Sequence, residues 1–363
     1  MESYGRIGLP PTKHQNILIF KLRLVGCAAH HTKEPFDCAN YATKSAVSLP
    51  HSDGYDVVRV AKAVGDDLRA NILRVLASDS FGVQELCSIF STAQPALSHH
   101  LKILREADLV SQRKEGTNVF YRRSSHPEQT LHAALFAAVD AQPLSAEICA
   151  QILTLNQQRA ERCQTFFANN KDVLDQQDEL ICPAEVYLSC VMENLPEDLQ
   201  AGSRALEVGP GNGTLLLGLS ERYGQVLGMD SSSTMLAATA DAIAHQPAAK
   251  HIKLMQGDFF SLPNQPQFDA LVAAMVLHHM PSPEAFFQKA AKVTVPGGDL
   301  VIAELCAHTQ DWVTTTVGDL WLGFEPAVLS QWAKRHGFKI HDQQHLAQRN
   351  GFQVQVLSFK RNA

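Results

Sequence analysis

The sequence predicts an α/β chain in two folded modules. A small, mainly helical module closed by a basic hairpin comes first, and a larger module on a doubly wound, Rossmann-like parallel sheet follows. Three observations carry that prediction. The length of 363 residues exceeds what one compact core usually organises. Helical periodicity runs from Tyr55 to Arg105 and then gives way to a hairpin pattern rich in Lys and Arg. After Gly202 short apolar strands alternate with helices, and the first strand ends in Glu207-Val208-Gly209-Pro210-Gly211-Asn212-Gly213.

With 45% apolar and 19% charged residues, the composition is that of an ordinary globular protein. A net charge of -6 argues against wholesale coating of nucleic acid, so any DNA contact must come from a local basic surface. The 8 cysteines form no Cys-x-x-Cys pair, which predicts reduced thiols, a cytoplasmic location and no structural metal. Residues 1–52 carry Pro10-Pro11 and no clear period, and read as a disordered extension. Within them Ile17 to Ala29, ending near Leu24-Val25-Gly26-Cys27, imitates an export signal, but Lys21 and Arg23 interrupt its apolar run. No uncharged stretch reaches the ~20 residues that a membrane helix needs.

Residues 53–140 form the first module. Two short helices are expected between Tyr55 and Asp79, with Leu68, Ile72, Val75 and Leu76 on one face. Gly82 breaks that pattern, and Val83 to Phe90 reads as a third helix. Ser91 or Thr92 is expected to cap a fourth, which starts near Gln94 with Pro95 in its first turn. Leu97, Leu101 and Leu104 are its buried stripe. Gln94, Ser98, Lys102 and Arg105 lie opposite, with His99 beside them and His100 at the border. Amide, hydroxyl, imidazole and ammonium groups on one face suit base edges and phosphates in a major groove. A hairpin follows, Leu109 to Lys114 and Val119 to Arg123, turning through Glu115-Gly116-Thr117-Asn118. Its Arg113, Lys114 and Arg122 fit the grip on phosphate that a wing provides.

The run from Glu-Leu-Cys at 85–87 through Gln-Pro-Ala-Leu-Ser-His-His-Leu-Lys at 94–102 to Phe-Tyr-Arg at 120–122 resembles the ArsR/SmtB family of winged helix-turn-helix repressors. The resemblance covers about residues 55–140. It implies a homodimer on palindromic operator DNA, paired through terminal helices, here Leu131 to Val139. The chain departs from the family's metal sensors: Ile89 replaces the second thiolate after Cys87, and His132 and Asp140 do not reproduce the other metal-binding spacing. No metal is expected there.

Residues 141–198 read as a helical linker or cap, with a period through Ile148, Ile152 and Leu155. The second module spans 199–363. Its strands are Arg204 to Val208, Val226 to Asp230, His251 to Gln256, Phe268 to Val276 and Asp299 to Glu304. Helices start at Thr214, Thr234 and Pro283, and another is expected between the third and fourth strands. Two antiparallel strands, near Lys339 to His345 and Phe352 to Phe359, close the sheet. An acid followed by Gly-x-Gly-x-Gly, with Thr214 where a dinucleotide site has its last glycine, points to S-adenosylmethionine rather than NAD. Gly209, Gly211 and Gly213 permit close backbone approach. Asp230, with Ser231 beside it, is placed to accept ribose hydroxyls, Asp258 the adenine amino group, and Phe259 offers a ring face. Glu207, Asp230 and Asp258 favour a sulfonium cation.

From about Leu180 onward the chain resembles the class I S-adenosylmethionine-dependent methyltransferases, in particular the UbiE-like group. Val276-Leu277-His278-His279-Met280 and Pro296-Gly297-Gly298 add to the match, and Gly318 to Pro326 looks like the corresponding segment of proteins that fuse these two modules. His278 and His279 are candidate bases or walls of the pocket, and Trp312, Trp321 and Phe324 a gate or a core helix. The resemblance implies a regulator that senses S-adenosylmethionine or S-adenosylhomocysteine, with genes of methionine and homocysteine recycling as its targets. A second reading is a small-molecule methyltransferase with an accessory winged helix and an acceptor the sequence does not identify. A third, arsenite methylation, is prompted by Cys163, Cys182, Cys190 and Cys306 but lacks a thiolate constellation.

Overall fold

The computed structural model describes residues 57–77, 79–115, 118–124, 131–170, 177, 179–197 and 202–363. The extension, its export-like segment and the tip of the basic hairpin lie outside the described residues. Tyr55–Ala363 form one compact unit.

The chain begins with α1 (Val57–Val64) and α2 (Asp67–Val75), the latter capped by Asp66, whose carboxylate accepts from Arg69 N at 2.9 Å. A short β1 (Phe81–Gly82) leads into α3 (Val83–Phe90), where Glu85 folds back to accept from Gly82 N at 2.8 Å. In α4 (Gln94–Glu106) the stripe of Leu97, Leu101 and Leu104 is fully buried against Ile72, Leu73 and Phe81. The expected cap is corrected here. Ala93 is the N-cap of α4 without any side-chain bond, while Ser91 ends α3 at φ 48° and Thr92 Oγ1 donates to Phe90 O. Pro95 in the first turn fixes its own φ and has no N–H to satisfy, so α4 starts without a hydroxyl cap. The wing is β2 (Val110–Glu115) and β3 (Asn118–Arg123), with β1 added on the β3 edge, and α5 (Leu131–Asp140) follows.

The longest helix, α6 (Ala146–Asn169), has 24 residues, or about 36 Å at 1.5 Å per residue. Its first half packs Ile148, Ile152 and Leu155 on the N-terminal core, and its last turns pack Phe166 and Phe167 on the core of the sheet module. After α7 (Ala184–Glu193) the sheet module runs β4 (Arg204–Val208), α8 (Thr214–Arg222), β5 (Gln225–Asp230), α9 (Ser233–Ile243), β6 (Ile252–Gln256), β7 (Phe268–Ala274), α10 (Pro283–Val293), β8 (Thr294–Leu305), α11 (Val313–Thr316), α12 (Pro326–Arg335), β9 (Phe338–Ala347) and β10 (Gln353–Arg361). The order is β6-β5-β4-β7-β8-β10-β9, with β10 antiparallel to both its neighbours. No α-helix joins β6 to β7, contrary to expectation. The link is a 3-10 turn, Phe259–Ser261, because Pro263 and Pro266 remove the N–H groups a helix would use. No described helix is long and apolar enough to cross a membrane.

The two modules touch at several named points. Arg113 Nη1 donates to Gly323 O at 2.8 Å, Arg335 Nη1 to Ala77 O at 2.8 Å, and the Phe120 and Trp321 rings lie 5.8 Å apart. Arg159, in the middle of α6, is 2% exposed and donates to both Glu85 oxygens at 3.0 and 2.6 Å, to Ser80 O at 3.2 Å and to Pro281 O at 2.9 Å. Its guanidinium also lies over the rings of Phe81 and Trp321. Asp79 is buried beside it, 3.8 Å away, and burial raises its carboxyl to about 7 against the pull of Arg159.

Two outcomes are expected. Phe287, fully buried against Phe286, Trp332 and Phe359, should cost about 3–5 kcal/mol on Phe287→Ala, read from the urea midpoint of the sheet module. Asp79 ionises at a lower pH in the unfolded chain than in the folded one. Its contribution is therefore fully present below about pH 4 and is lost as pH rises through about 7, so Asp79→Asn should flatten the fall in stability over that window relative to the parent.

Candidate functional site

In an open α/β sheet the crevice lies where strand order reverses, at the carboxyl ends of the strands. Here β5 and β6 lie to one side of β4, and β7 and β8 to the other, so the crevice opens above β4 and β7. Each strand end supplies part of one cleft. After β4 come Gly209 and Gly211, after β5 Asp230 and Ser231, after β6 Gly257 to Phe260, and after β7 Met275, Val276, His279 and Pro281. Helix α6 closes the cleft with Ala160, Cys163, Gln164 and Phe167, and Gln177 stands beside them.

Local chemistry explains these positions. Gly209 has φ 70°, and a Cβ there would meet Val276 Cγ2 at 2.6 Å, so the turn closes only on glycine. The Asp230 carboxylate accepts from Ser232 N at 2.8 Å, and burial raises its pKa against that bond. Asp258 accepts from Phe260 N at 3.0 Å, which turns Phe259 inward onto Phe286 with ring centroids 5.1 Å apart. Met275 lines the cleft at φ 53°, a strained conformation for a side chain of its size.

Two predicted nucleoside-binding residues do other work. Gly213 does not line the cleft; it caps α8 at φ 77°, where a Cβ would strike Ile243 at 2.6 Å. Glu207 is buried below the glycine turn with Oε2 unpartnered, and burial pushes its carboxyl well above the usual range. Burial thus works against the negative field expected from it.

The histidine pair divides. His279 lines the cleft, its ring 4.9 Å from Phe167, and burial followed by the charge of His278 holds it well below the ordinary imidazole range. His278 does not line the cleft. Its Nδ1 lies 2.5 Å from Glu304 Oε1, and although burial acts to lower its pKa, Glu304 and Asp319 outweigh that and raise it to about 9. Glu304 and Asp319 were not singled out as site residues in the sequence: one ends a predicted strand and the other falls within the Gly318 to Pro326 segment, and only the fold brings both to the end of β7. The aromatic gate is also corrected: Trp312, Trp321 and Phe324 stand away from this cleft. Trp312 and Trp321 line a second cavity between α3, β3 and α6, which shares Cys163 with the first.

On the N-terminal module Gln94, Ser98, His99, Lys102 and Lys114 are exposed, and His100 is half-buried 3.6 Å from Asp66. Gln94 accepts from Gln84, and Lys102 lies 3.8 Å from Glu106. Arg113 and Arg122 are half-buried and turned toward the sheet module: the first holds Gly323 O, and the second lines a pocket with Glu325 and Trp332. Burial pushes the thiols of Cys163 and Cys306 up to about 12 and about 11, so neither offers the thiolate that arsenic chemistry needs.

Residues 66–112 match the family described as bacterial regulatory protein, arsR family, and residues 206–302 match a methyltransferase domain. The HTH-type transcriptional regulator KmtR of Mycobacterium tuberculosis is 36% identical over 104 residues, 28% of this chain and 80% of that protein. A demethylmenaquinone methyltransferase of Shouchella clausii is 36% identical over 118 residues, 31% of this chain and 49% of that protein, so the chain spans about half the length of this methyltransferase relative. Among solved structures, N-methyltransferase NodS from Bradyrhizobium japonicum, in complex with S-adenosyl-L-homocysteine, aligns at 15% identity and a TM-score of 0.44, covering 56% of this chain and 99% of that one.

Exposed Cys149 should be alkylated by iodoacetamide at pH 8 at least tenfold faster than Cys163, whose thiolate is scarce. Peptide mapping by mass spectrometry measures both; equal rates would show that the cleft is open to solvent at α6.

Proposed function

Because the chain belongs to the arsR family of bacterial regulatory proteins and carries a methyltransferase domain behind its helix-turn-helix, we propose that it is a cytoplasmic DNA-binding regulator, a repressor governed by S-adenosylmethionine or S-adenosylhomocysteine. The observation that carries this reading is α6. One face of that helix closes the cleft with Cys163, Gln164 and Phe167, while Arg159, one turn earlier, holds Glu85 at the start of α3. A nucleoside that pulls on α6 would therefore also pull on the helix pair that presents α4 to a major groove. Coupling of this kind needs only a difference in affinity between two arrangements of the same contacts.

In the cleft, Asp230 accepts the ribose hydroxyls, Asp258 and the Phe259 ring receive the adenine, and Gly209 and Gly211 admit the amino-acid part. On the N-terminal module Gln94, Ser98, His99, His100, Lys102 and Lys114 read and grip an operator, with Arg113 and Arg122 joining once released from the sheet module. Two copies pair through α1 and α5, where Val57, Val58 and Leu131 leave 60%, 61% and 39% of their surface exposed.

A second reading, catalytic turnover on a small acceptor, is favoured by one observation: the second cavity abuts the nucleoside cleft through Cys163 and gives an acceptor room. Methyl transfer breaks the bond from the sulfonium sulfur to its methyl carbon as the acceptor bonds to that carbon, and needs position and exclusion of water, with His279 as the cleft's imidazole.

Calorimetry should show binding of either nucleoside, weakened tenfold or more by Asp230→Ala. Operator affinity, measured by anisotropy, should shift at least fivefold with one nucleoside. Arg159→Lys should keep nucleoside binding and lose that shift. Operator affinity unmoved by both nucleosides rejects the sensor, and steady release of S-adenosylhomocysteine in cell extract would favour turnover.

A further inference from the structure

At the end of β7, the segment before α12 brings three ligand-type side chains face to face. His278 Nε2 stands 3.8 Å from Asp319 Oδ1, and His279 Nδ1 stands 3.9 Å from the same oxygen. One ligand atom from each of the three lies within 4.8 Å of the others, the only such grouping among the described residues. His278 is 0% and Asp319 3% exposed, and His278 Nε2 and both Asp319 oxygens have no hydrogen-bond partner. Buried polar atoms rarely go unpartnered, and several aimed at one point mark a missing guest.

The spacing of these atoms says what kind of guest fits. Glu304 Oε1 lies 2.5 Å from His278 Nδ1 and Oε2 accepts from His278 N at 3.2 Å, so the carboxylate fixes the hydrogen on Nδ1. The other ring nitrogen, Nε2, faces the Asp319 carboxylate, and the two can be joined there by a shared proton or by a metal cation that displaces it. A shared proton would draw the atoms to about 2.7–2.9 Å. Two bonds of about 2.0–2.2 Å to a metal hold their ends further apart, as found here. Charge agrees: Glu304 and Asp319 are two buried carboxylates facing two imidazoles, and a dication with neutral imidazoles brings the cluster to zero.

We propose that His278, His279 and Asp319 hold a divalent transition metal of the zinc class, with Glu304 behind His278 as the carboxylate that orients a ligating imidazole. His279 gives up its long contact of 3.3 Å to Gly318 O to join the ion. Since His279 lines the nucleoside cleft and Asp319 the second cavity, the ion sits in the wall between the two spaces. Three protein ligands leave a tetrahedral position open, where an acceptor hydroxyl or thiol would bind and become more acidic. The proposal does not depend on nucleoside binding.

The test uses the untagged full chain, stripped with a chelator and titrated with cobalt(II), then back-titrated with zinc(II). One equivalent per chain should give the intense visible bands of a tetrahedral ion. Asp319→Asn and His279→Gln should each weaken binding at least tenfold, Glu304→Gln tenfold to a hundredfold, and Cys149→Ser should leave it unchanged. No cobalt band from protein folded by circular dichroism overturns the proposal, as does a band indifferent to Asp319→Asn. If that variant does not fold, X-ray absorption of the cobalt-loaded parent decides: two imidazoles around the metal support the site, and fewer, or any thiolate, overturn it.

Discussion

A guanidinium buried where three pieces of chain meet is what the arrangement of this molecule depends on. Arg159 cannot sit in the interior without partners, and it has them from three directions: the Glu85 carboxylate of α3, carbonyls of Ser80 and Pro281, and the faces of Phe81 and Trp321. Such a pair adds little net stability over an apolar substitute, yet moving one partner alone leaves a bare charge in the interior. The helix-turn-helix, the long helix and the loop after β7 are thereby tied to one register.

Much of this was legible in the sequence, because it rests on local periodicity and on glycine. The Leu97, Leu101 and Leu104 stripe, the wing and the parallel strands follow from spacings of 3.6 and 2 residues. Gly209, Asp230, Asp258 and Phe259 were legible because a strand end followed by a tight turn is a local event, and all four line the cleft. What did not show were partners distant in the chain. Nothing near Glu304 or Asp319 announces that both converge on His278, and Arg159 looks like one more solvated charge on an amphipathic helix. Glu207 and Gly213 fall in a recognised motif, but the motif does not say which of its members meet a ligand and which hold the turn. Where local rules failed, as at the cap of α4 and the link from β6 to β7, proline had overridden the simpler reading.

The cleft and the histidine cluster also illustrate how burial assigns character to identical groups. Adjacent imidazoles are driven in opposite directions, His279 by its apolar surroundings and its charged neighbour, His278 by two carboxylates. Two aspartates differ in placement: Asp258 is exposed at the rim, while Asp319 is enclosed. Sequence proximity therefore says little about role at this rim of the sheet, and environment says most.

The wing adds one last consequence. Arg113 belongs by position to the hairpin that would straddle a sugar-phosphate strand, but it already serves the Gly323 carbonyl at the other end of the chain. Gly323 can adopt its left-handed turn only as glycine, since a Cβ would collide with the Cys306 carbonyl at 2.3 Å, so that acceptor is rigidly placed. Any duplex that takes the guanidinium must first outbid a backbone oxygen that cannot retreat. The C-terminal half is thus an internal rival for the same hand that would hold the double helix.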